Sequence, residues 1–123
     1  MPGTGGAWGR IRKHLTGRAM SDGEAKKIGL VAILTARAGS AAALKDALAA
    51  IIPGVRTEPG CLRYDMNVDV EDEHRVVMLE EWSSEAALEA HAQAPAFRSL
   101  AARFNELLEV VPVLMRLRLV TMP

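Results

Sequence analysis

The sequence of 123 residues contains a single cysteine and few aromatic side chains, namely two Trp, one Tyr and two Phe. Because Cys61 is alone, an intramolecular disulfide is excluded and a cysteine-based metal cluster is disfavoured. A reducing cytoplasm is therefore the expected compartment, and Cys61 is interpreted as a small buried hydrophobic side chain. With so few rings, any flat ligand must stack on them or lie against Met and Leu side chains.

Long apolar segments and an excess of charge are also lacking. The longest strongly apolar run, 28–34, is much shorter than the roughly 20 residues that a membrane helix needs. Lys and Arg together number 15, as do Asp and Glu together. The net charge is therefore zero, and this balance gives no indication of a nucleic-acid surface. We expect neither nucleic acid nor a membrane among the partners.

The first 27 residues differ in composition from the rest. They are rich in Gly, they carry six basic against two acidic side chains, and they show no sustained hydrophobic period. We predict a flexible basic extension over residues 1–27 and one domain over residues 28–123. The alternative for the extension is a short amphipathic helix with apolar positions at Trp8, Ile11 and Leu15.

Hydrophobic periodicity predicts the elements of the domain. The expected elements are a buried strand over 28–36, a helix from Ser40, hairpin strands over 61–69 and 75–82, short helices from about Ser84 and from Pro95, and a strand over 113–121. Pro53 should kink or end the first helix near Ile52. In the second strand the residues expected to share one face are Leu62, Tyr64, Met66 and Val68.

The resulting order, β-α-β-β-α-β with the second helix split in two, is that of an α+β, ferredoxin-like fold. Its four-stranded sheet has helices on one face only, so the other face must meet water or a partner. The first and last strands carry aliphatic side chains on both faces, and an uncovered apolar face is an association surface. We therefore expect a homodimer in which sheet packs on sheet with isologous symmetry.

Three stretches resemble the antibiotic biosynthesis monooxygenase family. They are EPGCLRY at 58–64, EEWSSEAALEAH at 80–91 and APAF at 94–97. The spacing from Trp82 through His91 to Phe97 is the most specific part of the resemblance, which covers residues 28 to about 121. It implies that two ferredoxin-like domains form a dimeric α/β barrel.

The resemblance also implies a chemistry. The best-known members of the family oxidise quinols or polycyclic phenols with O2 and use no metal, haem or flavin. An electron-rich phenolate can itself reduce O2, so the protein has only to bind it, deprotonate it and exclude water. The sequence has no GxGxxG after a strand, no P-loop and no close pair of His or Cys ligands, which agrees with the absence of a bound cofactor or metal. The expected partners are a quinol-like or phenolic small molecule and O2.

His91 is the candidate catalytic base, because a neutral imidazole can accept a phenolic proton. The alternative is a structural histidine at the helix break before Pro95. The candidate pocket residues are Trp82, Tyr64, Phe97 and Glu80. For Trp82 and Tyr64 the favoured interpretation is core packing, and Phe97 fits either role. Glu80 would need a partner such as Arg116 or Arg118 of the last strand, since burial of a lone charge is costly.

Two other functions and one branch of the family are alternatives to this hypothesis. A proton-transfer isomerase of a small hydroxyketone would also use a base, but within polar, cation-lined walls. A dimeric module that binds a small ligand without catalysis would need none. The haem-degrading branch has an asparagine, a tryptophan and a haem-ligating histidine where this sequence has Ala32, His91 and Ala101. These departures disfavour haem degradation.

Overall fold

The computed structural model describes residues 26–120. The elements in this range are β1 (Ile28–Thr35), α1 (Ala41–Val55), β2 (Cys61–Asp69), β3 (Asp72–Trp82), α2 (Glu85–Gln93), α3 (Pro95–Ala101), α4 (Phe104–Leu107) and β4 (Val113–Leu117). The predicted extension over residues 1–27, with its alternative helix, lies outside the described residues except for Lys26 and Lys27. The order of elements confirms the predicted arrangement, although the second helical region consists of three pieces rather than two.

The four strands form one sheet in the order β2-β3-β1-β4, and every neighbouring pair is antiparallel. This is the ferredoxin-like α+β fold that the sequence predicts. Buried and half-buried residues alternate along β1 and along most of β3, because successive side chains of a strand point to opposite faces. The inner face packs against the helices, whose most buried residues are Leu44, Leu48, Val55, Leu88 and Leu107.

The helix α1 continues beyond Pro53, so of the two predicted effects of this residue, a kink or an end of the helix, the end is wrong. Pro53 lies within it, and the helix continues to Val55 instead of ending near Ile52. The side chain of Val55 is completely buried, and the N–H of Arg56 still donates to the carbonyl of Ile52 at 3.0 Å. The packing of Val55 therefore compensates for the loss of the backbone hydrogen bond that Pro53 cannot donate.

The predicted face of β2 is wrong at its first residue. The pairing with β3 shifts between Cys61 and Arg63, as at a β-bulge, where one extra residue interrupts the alternation. Leu62 is consequently 50% exposed, whereas Tyr64 is 2% exposed. The bulge leaves both Cys61 and Tyr64 beside the inner residues of β3, Trp82 and Glu80 respectively.

The other side of the sheet, which we call the outer face, is apolar over three strands. Its aliphatic residues are Val31 and Ile33 of β1, Val77 and Leu79 of β3, and Val113, Met115 and Leu117 of β4, aligned by the strand register. The three residues of β4 are each about half exposed. An apolar surface of this kind is expected to be covered in an assembly.

Candidate active site

The tight turn between α1 and β2 packs closely against the start of α2. Gly60 has φ +85°, and a Cβ atom there would lie 2.5 Å from Cβ of Ala87 and 2.7 Å from Oγ of Ser83. The carbonyl of Gly60 accepts a hydrogen bond from the N–H of Ser83 at 2.8 Å. Only glycine combines this backbone conformation with so close an approach. The turn thereby holds Glu58 next to α2.

The helix α2 positions His91. Ser84 is its N-cap, and the Ser84 hydroxyl accepts a hydrogen bond from the N–H of Ala87 at 3.1 Å. The helix ends at Gln93, Ala94 is extended, and Pro95 occupies the first turn of α3, a position that suits proline. His91 lies in the last turn of α2, on the side that faces the sheet, and is 4% exposed.

The imidazole of His91 lies among the three aromatic residues that the sequence predicts for the site. It stacks on the indole of Trp82, with ring centroids 4.6 Å apart and an interplanar angle of 29°. Tyr64 meets it edge-on at 5.3 Å, and Phe97 is tilted against it at 5.2 Å. The structure thus places three of the predicted site residues around the ring of the fourth, His91, and the fifth, Glu80, contacts the indole of Trp82.

Glu58 is the partner of His91 that the sequence analysis did not identify. Its Oε1 lies 2.8 Å from Nδ1 of His91, and its side chain is 18% exposed. Burial lowers the pKa of His91, while the carboxylate of Glu58 acts in the opposite direction without cancelling it. At neutral pH the contact is therefore a hydrogen bond that the N–H of a neutral imidazole donates to the carboxylate, rather than an ion pair. The signal that could have revealed it is the need of a buried histidine for a polar partner.

Glu80 is a buried carboxyl group with an indole as its partner. It is 7% exposed, and its Oε1 accepts a hydrogen bond from Nε1 of Trp82 at 3.0 Å. Burial raises the pKa of Glu80 to about 7, the nearby Glu58 adds to the rise, and the bond from Trp82 acts against it. Arg116, one of the two partners expected for Glu80, forms an ion pair with Glu85.

The remaining titratable groups near His91 keep their protons at neutral pH. Burial raises the pKa of Tyr64, and the carboxylates of Glu80 and Glu58 add to this rise. Burial likewise raises the pKa of the Cys61 thiol, again with contributions from Glu58 and Glu80. Tyr64 is therefore a hydrogen-bond donor, and Cys61 lacks the thiolate character of a nucleophile.

A small cavity lies between the sheet and the helices beside these residues. Its volume is about 30 Å³. Its walls are mostly aliphatic and aromatic, and their polar members are Tyr64, Glu80 and His91. A cavity on the order of 150 Å³ holds a benzene molecule, so the lining side chains must move to admit an aromatic ring. Phe97 of α3, Phe104 of α4 and Pro112, which precedes β4, are among the lining residues.

His91 also lines a second space, a groove along α2. The groove has a volume of about 470 Å³ and runs between the turn at Glu58–Gly60 and the alanine-rich surface of α2. Glu58 belongs to the walls of this groove and His91 to the walls of both spaces. The pair formed by Glu58 and His91 therefore connects the interior cavity with the outer surface.

Within residues 26–120, no group of three or more His, Cys, Asp or Glu side chains could hold a metal ion. The two positions where the haem-degrading branch has an asparagine and a haem ligand, Ala32 and Ala101, are both buried alanines, which carry no atom able to bind iron. None of the helices described is both long and apolar enough to cross a membrane.

The chain is similar to several known proteins. The sequence profile of a family described as antibiotic biosynthesis monooxygenase matches residues 28–103. A Bacillus subtilis protein named "Putative monooxygenase YcnE" is 40% identical over 53 residues, which make up 43% of this chain and 56% of that relative. The chain therefore matches only about half the length of YcnE.

Two solved structures extend the similarity over most of the chain. The structure of PA3566 from Pseudomonas aeruginosa is 33% identical, with a TM-score of 0.74, and the match covers 85% of this chain and all of the other. The structure of SO0527 from Shewanella oneidensis is 30% identical, with a TM-score of 0.72, and the match covers 76% of this chain and 91% of the other.

Proposed function

This chain belongs to the antibiotic biosynthesis monooxygenase family, and we propose that it oxidises a quinol-like or phenolic small molecule with O2 without a bound cofactor. At the level of the family, a monooxygenase-like function and a small-molecule ligand are supported by the matching profile and by the name of YcnE. The observation that supports oxidation of a quinol without a cofactor is the neutral, buried imidazole of His91, which adjoins an apolar cavity.

His91 is the base in this proposal. A carboxylate oxygen only accepts hydrogen bonds, so the contact with Glu58 assigns the proton of the neutral imidazole to Nδ1. The lone pair of Nε2, directed away from Glu58, is then available to take a phenolic proton. Because burial lowers the pKa of His91, the imidazole stays unprotonated at neutral pH, as a base must be.

The reaction balances without an external reductant. Removal of a phenolic proton makes the ring electron-rich, and a ring carbon then forms a C–O bond with O2 while the distal oxygen takes up a proton. Loss of water from this hydroperoxide breaks the O–O bond and removes the proton on the same carbon. A hydroquinone thus becomes a hydroxyquinone and water, and the quinol itself supplies all of the electrons.

The walls of the cavity suit an aromatic ligand better than a phosphorylated hydroxyketone. None of the described residues that line it is Lys or Arg, whereas the isomerase alternative calls for cationic walls. Phe97 and Phe104 contribute aromatic rings to the wall, whereas Trp82 lies behind His91 with its ring face against the imidazole. Tyr64 keeps its proton and is therefore able to donate a hydrogen bond to a quinol oxygen. Tyr64, Phe97 and Glu80 line the proposed substrate pocket, and Trp82 supports it from behind His91.

The proposal includes a homodimer formed through the outer face. Seven aliphatic side chains share this face, and those of β4 are half exposed. Removal of apolar surface from water contributes about 25 cal/mol per Å², and a second copy of the same face is the partner that always accompanies the chain. Residues 28–123 form the domain in this assembly, with residues 1–27 as an extension.

The proposed activity is tested by O2 uptake. Purified protein that has been stripped of metal is mixed with a panel of hydroquinones and compared with buffer, which corrects for autoxidation. We expect uptake that survives a chelator and falls by about 10²-fold or more in His91→Ala. The matched control is His74→Ala, since His74 lies on the β2–β3 hairpin beside Asp72 and is half-buried there.

The outcome of this test separates the alternatives. Equal uptake in wild type and in His91→Ala would contradict the role of His91 but not the activity. Loss of uptake after chelation would contradict a reaction without a metal. Absence of uptake above autoxidation with every quinol would contradict the activity itself and favour the module that binds a ligand without catalysis.

A further inference from the structure

We propose that Glu80 is the second acid–base group of this site and delivers the proton that breaks the O–O bond of the hydroperoxide. This inference rests on the proposed oxidation of a quinol. The mechanism above requires a base but leaves unassigned the group that protonates the departing oxygen. Glu80 is a buried carboxyl group in the wall of the same cavity as His91.

The position of Glu80 follows from the strand register. On the inner face of the sheet it pairs with Tyr64 of β2 on one side and with Leu30 of β1 on the other, and both of these residues also line the cavity. Its carboxyl group is therefore held at the wall of the substrate pocket by the sheet itself, not by a loop. Rigid placement of this kind is what proton transfer to a bound substrate requires.

The indole of Trp82 holds the two proton-carrying groups in a fixed relation. Its face stacks on the imidazole of His91 at 4.6 Å, and its N–H, which lies in the plane of the ring, donates to Glu80 at 3.0 Å. His91 and Glu80 therefore contact the same rigid side chain at different places. A substrate in the cavity is bounded by both of them.

Two groups are needed because water loss moves two protons at once. A base takes the proton from the ring carbon while the O–O bond breaks, and an acid gives a proton to the departing hydroxide, which leaves as water. One group cannot accept a proton and donate a proton in the same step. His91 has already passed the phenolic proton to the peroxide and is neutral again, so it accepts the proton from the ring carbon and Glu80 donates to the departing hydroxide. Transfer of the proton from His91 to Glu80 then returns both groups to their starting states.

The environment keeps the two groups in the required protonation states. Burial raises the pKa of Glu80 to about 7 and lowers that of His91, so a protonated carboxyl group and a neutral imidazole coexist near neutral pH. Opposite shifts within one site are the arrangement that separates an acid from a base. The other titratable or charged groups near Glu80 are Glu58, Cys61, Tyr64 and, beyond Leu30 in the same row, Arg116 with its partner Glu85.

The test compares Glu80→Gln with wild type. The amide carbonyl of glutamine still accepts the hydrogen bond from Trp82, but the side chain has no acidic proton to give. We expect kcat for the quinol to fall by about 10²-fold or more while KM changes little. The decline of wild-type kcat at alkaline pH, where Glu80 has lost its proton, should vanish in the variant. Glu73→Gln, on an exposed position of the same strand, is the control and should leave kcat unchanged.

A second measurement needs no substrate and therefore distinguishes this inference from the proposed function. The infrared carbonyl band of a protonated carboxyl group should be present in wild type, absent in Glu80→Gln, and lost as the pH rises through about 7. An ionised Glu80 throughout that range would overturn the inference whatever the activity. Full activity of Glu80→Gln with an unchanged pH profile would also overturn it, whereas inactivity of wild type with all quinols refutes the function on which it rests.

Discussion

The imidazole of His91 stacks on the indole of Trp82 while the N–H of that indole donates to Glu80. Trp82 is completely buried, so it both fills the core and orients the two polar groups of the cavity. Of the two interpretations of Trp82, core residue and pocket wall, the structure agrees with the first, because the side chain is buried and is not among the residues that line the cavity. The contacts also allow the packing of the ring and its N–H group to be tested separately.

Trp82→Phe keeps an aromatic ring under His91 but removes the hydrogen bond to Glu80. We expect the free energy of unfolding to fall by about 2–5 kcal/mol, from the smaller ring and the lost bond together. Because the bond from Trp82 holds the pKa of Glu80 down, that pKa should rise further in the variant. Urea denaturation gives the first quantity and infrared titration the second. A pKa of Glu80 that did not rise would contradict the role assigned to the indole N–H.

Glu58→Gln should alter His91 without altering the aromatic cluster. The carboxylate of Glu58 raises the pKa of His91 against the effect of burial, so its removal should lower that pKa further. Turnover should fall by about 10- to 100-fold, by analogy with metal-bound histidines that lose the partner orienting them. NMR titration of the ring signals measures the pKa, and the signals of His74, which lies on the distant hairpin, serve as the internal control.

The same pKa gives a direction for acid stability. The folded-state pKa of His91 is lowered, so its contribution to stability is complete above the unfolded value of about 6.5 and is lost as the pH falls towards the folded value. In Glu58→Gln the folded value lies lower still, and the loss on acidification should be larger. A smaller loss in the variant than in wild type would contradict this account.

Glu80 has the opposite pH dependence. Its folded-state pKa is raised from 4.5 to about 7, so its contribution is complete below about pH 4.5 and is lost as the pH rises through about 7. Each pKa unit corresponds to about 1.4 kcal/mol, so the rise from 4.5 to about 7 implies a loss of about 3 kcal/mol in the free energy of unfolding. The free energy of unfolding of wild type, measured relative to Glu80→Gln at each pH, should fall by this order over that range. A difference that stays constant with pH would show that Glu80 does not titrate there.

The fold was predictable because apolar periodicity determines which residues are inner and outer in most strands. Trp82, His91 and Phe97 were predictable as a cluster, since the end of β3, α2 and α3 follow one another directly in the chain. The contact between Glu58 and His91 was not, because it depends on how closely the turn at Gly60 approaches α2. The position of Leu62 and the partner of Arg116 depend on a bulge and on a register that alternation alone leaves open.

Gly60→Ala tests that close approach. The residue has φ +85°, and the added methyl group would lie 2.5 Å from Cβ of Ala87, so both strain and overlap arise. We expect a loss of about 2–4 kcal/mol in the free energy of unfolding, together with weaker activity, because Glu58 moves away from His91. Gly54→Ala is the matched control: it lies within α1 with no atom near its missing Cβ, so we expect a gain of about 0.5–1 kcal/mol.

The homodimer proposal is tested on the outer face by Met115→Glu. Met115 lies on β4 between Val113 and Leu117, and in the proposed dimer a carboxylate there would be buried against apolar side chains of the partner. Sedimentation velocity should show a dimer for wild type and a monomer for the variant. The control is Val70→Glu, because Val70 is almost fully exposed at the β2–β3 turn and belongs to no face of the sheet. Dissociation by both substitutions, or by neither, would mean that the outer face is not the interface.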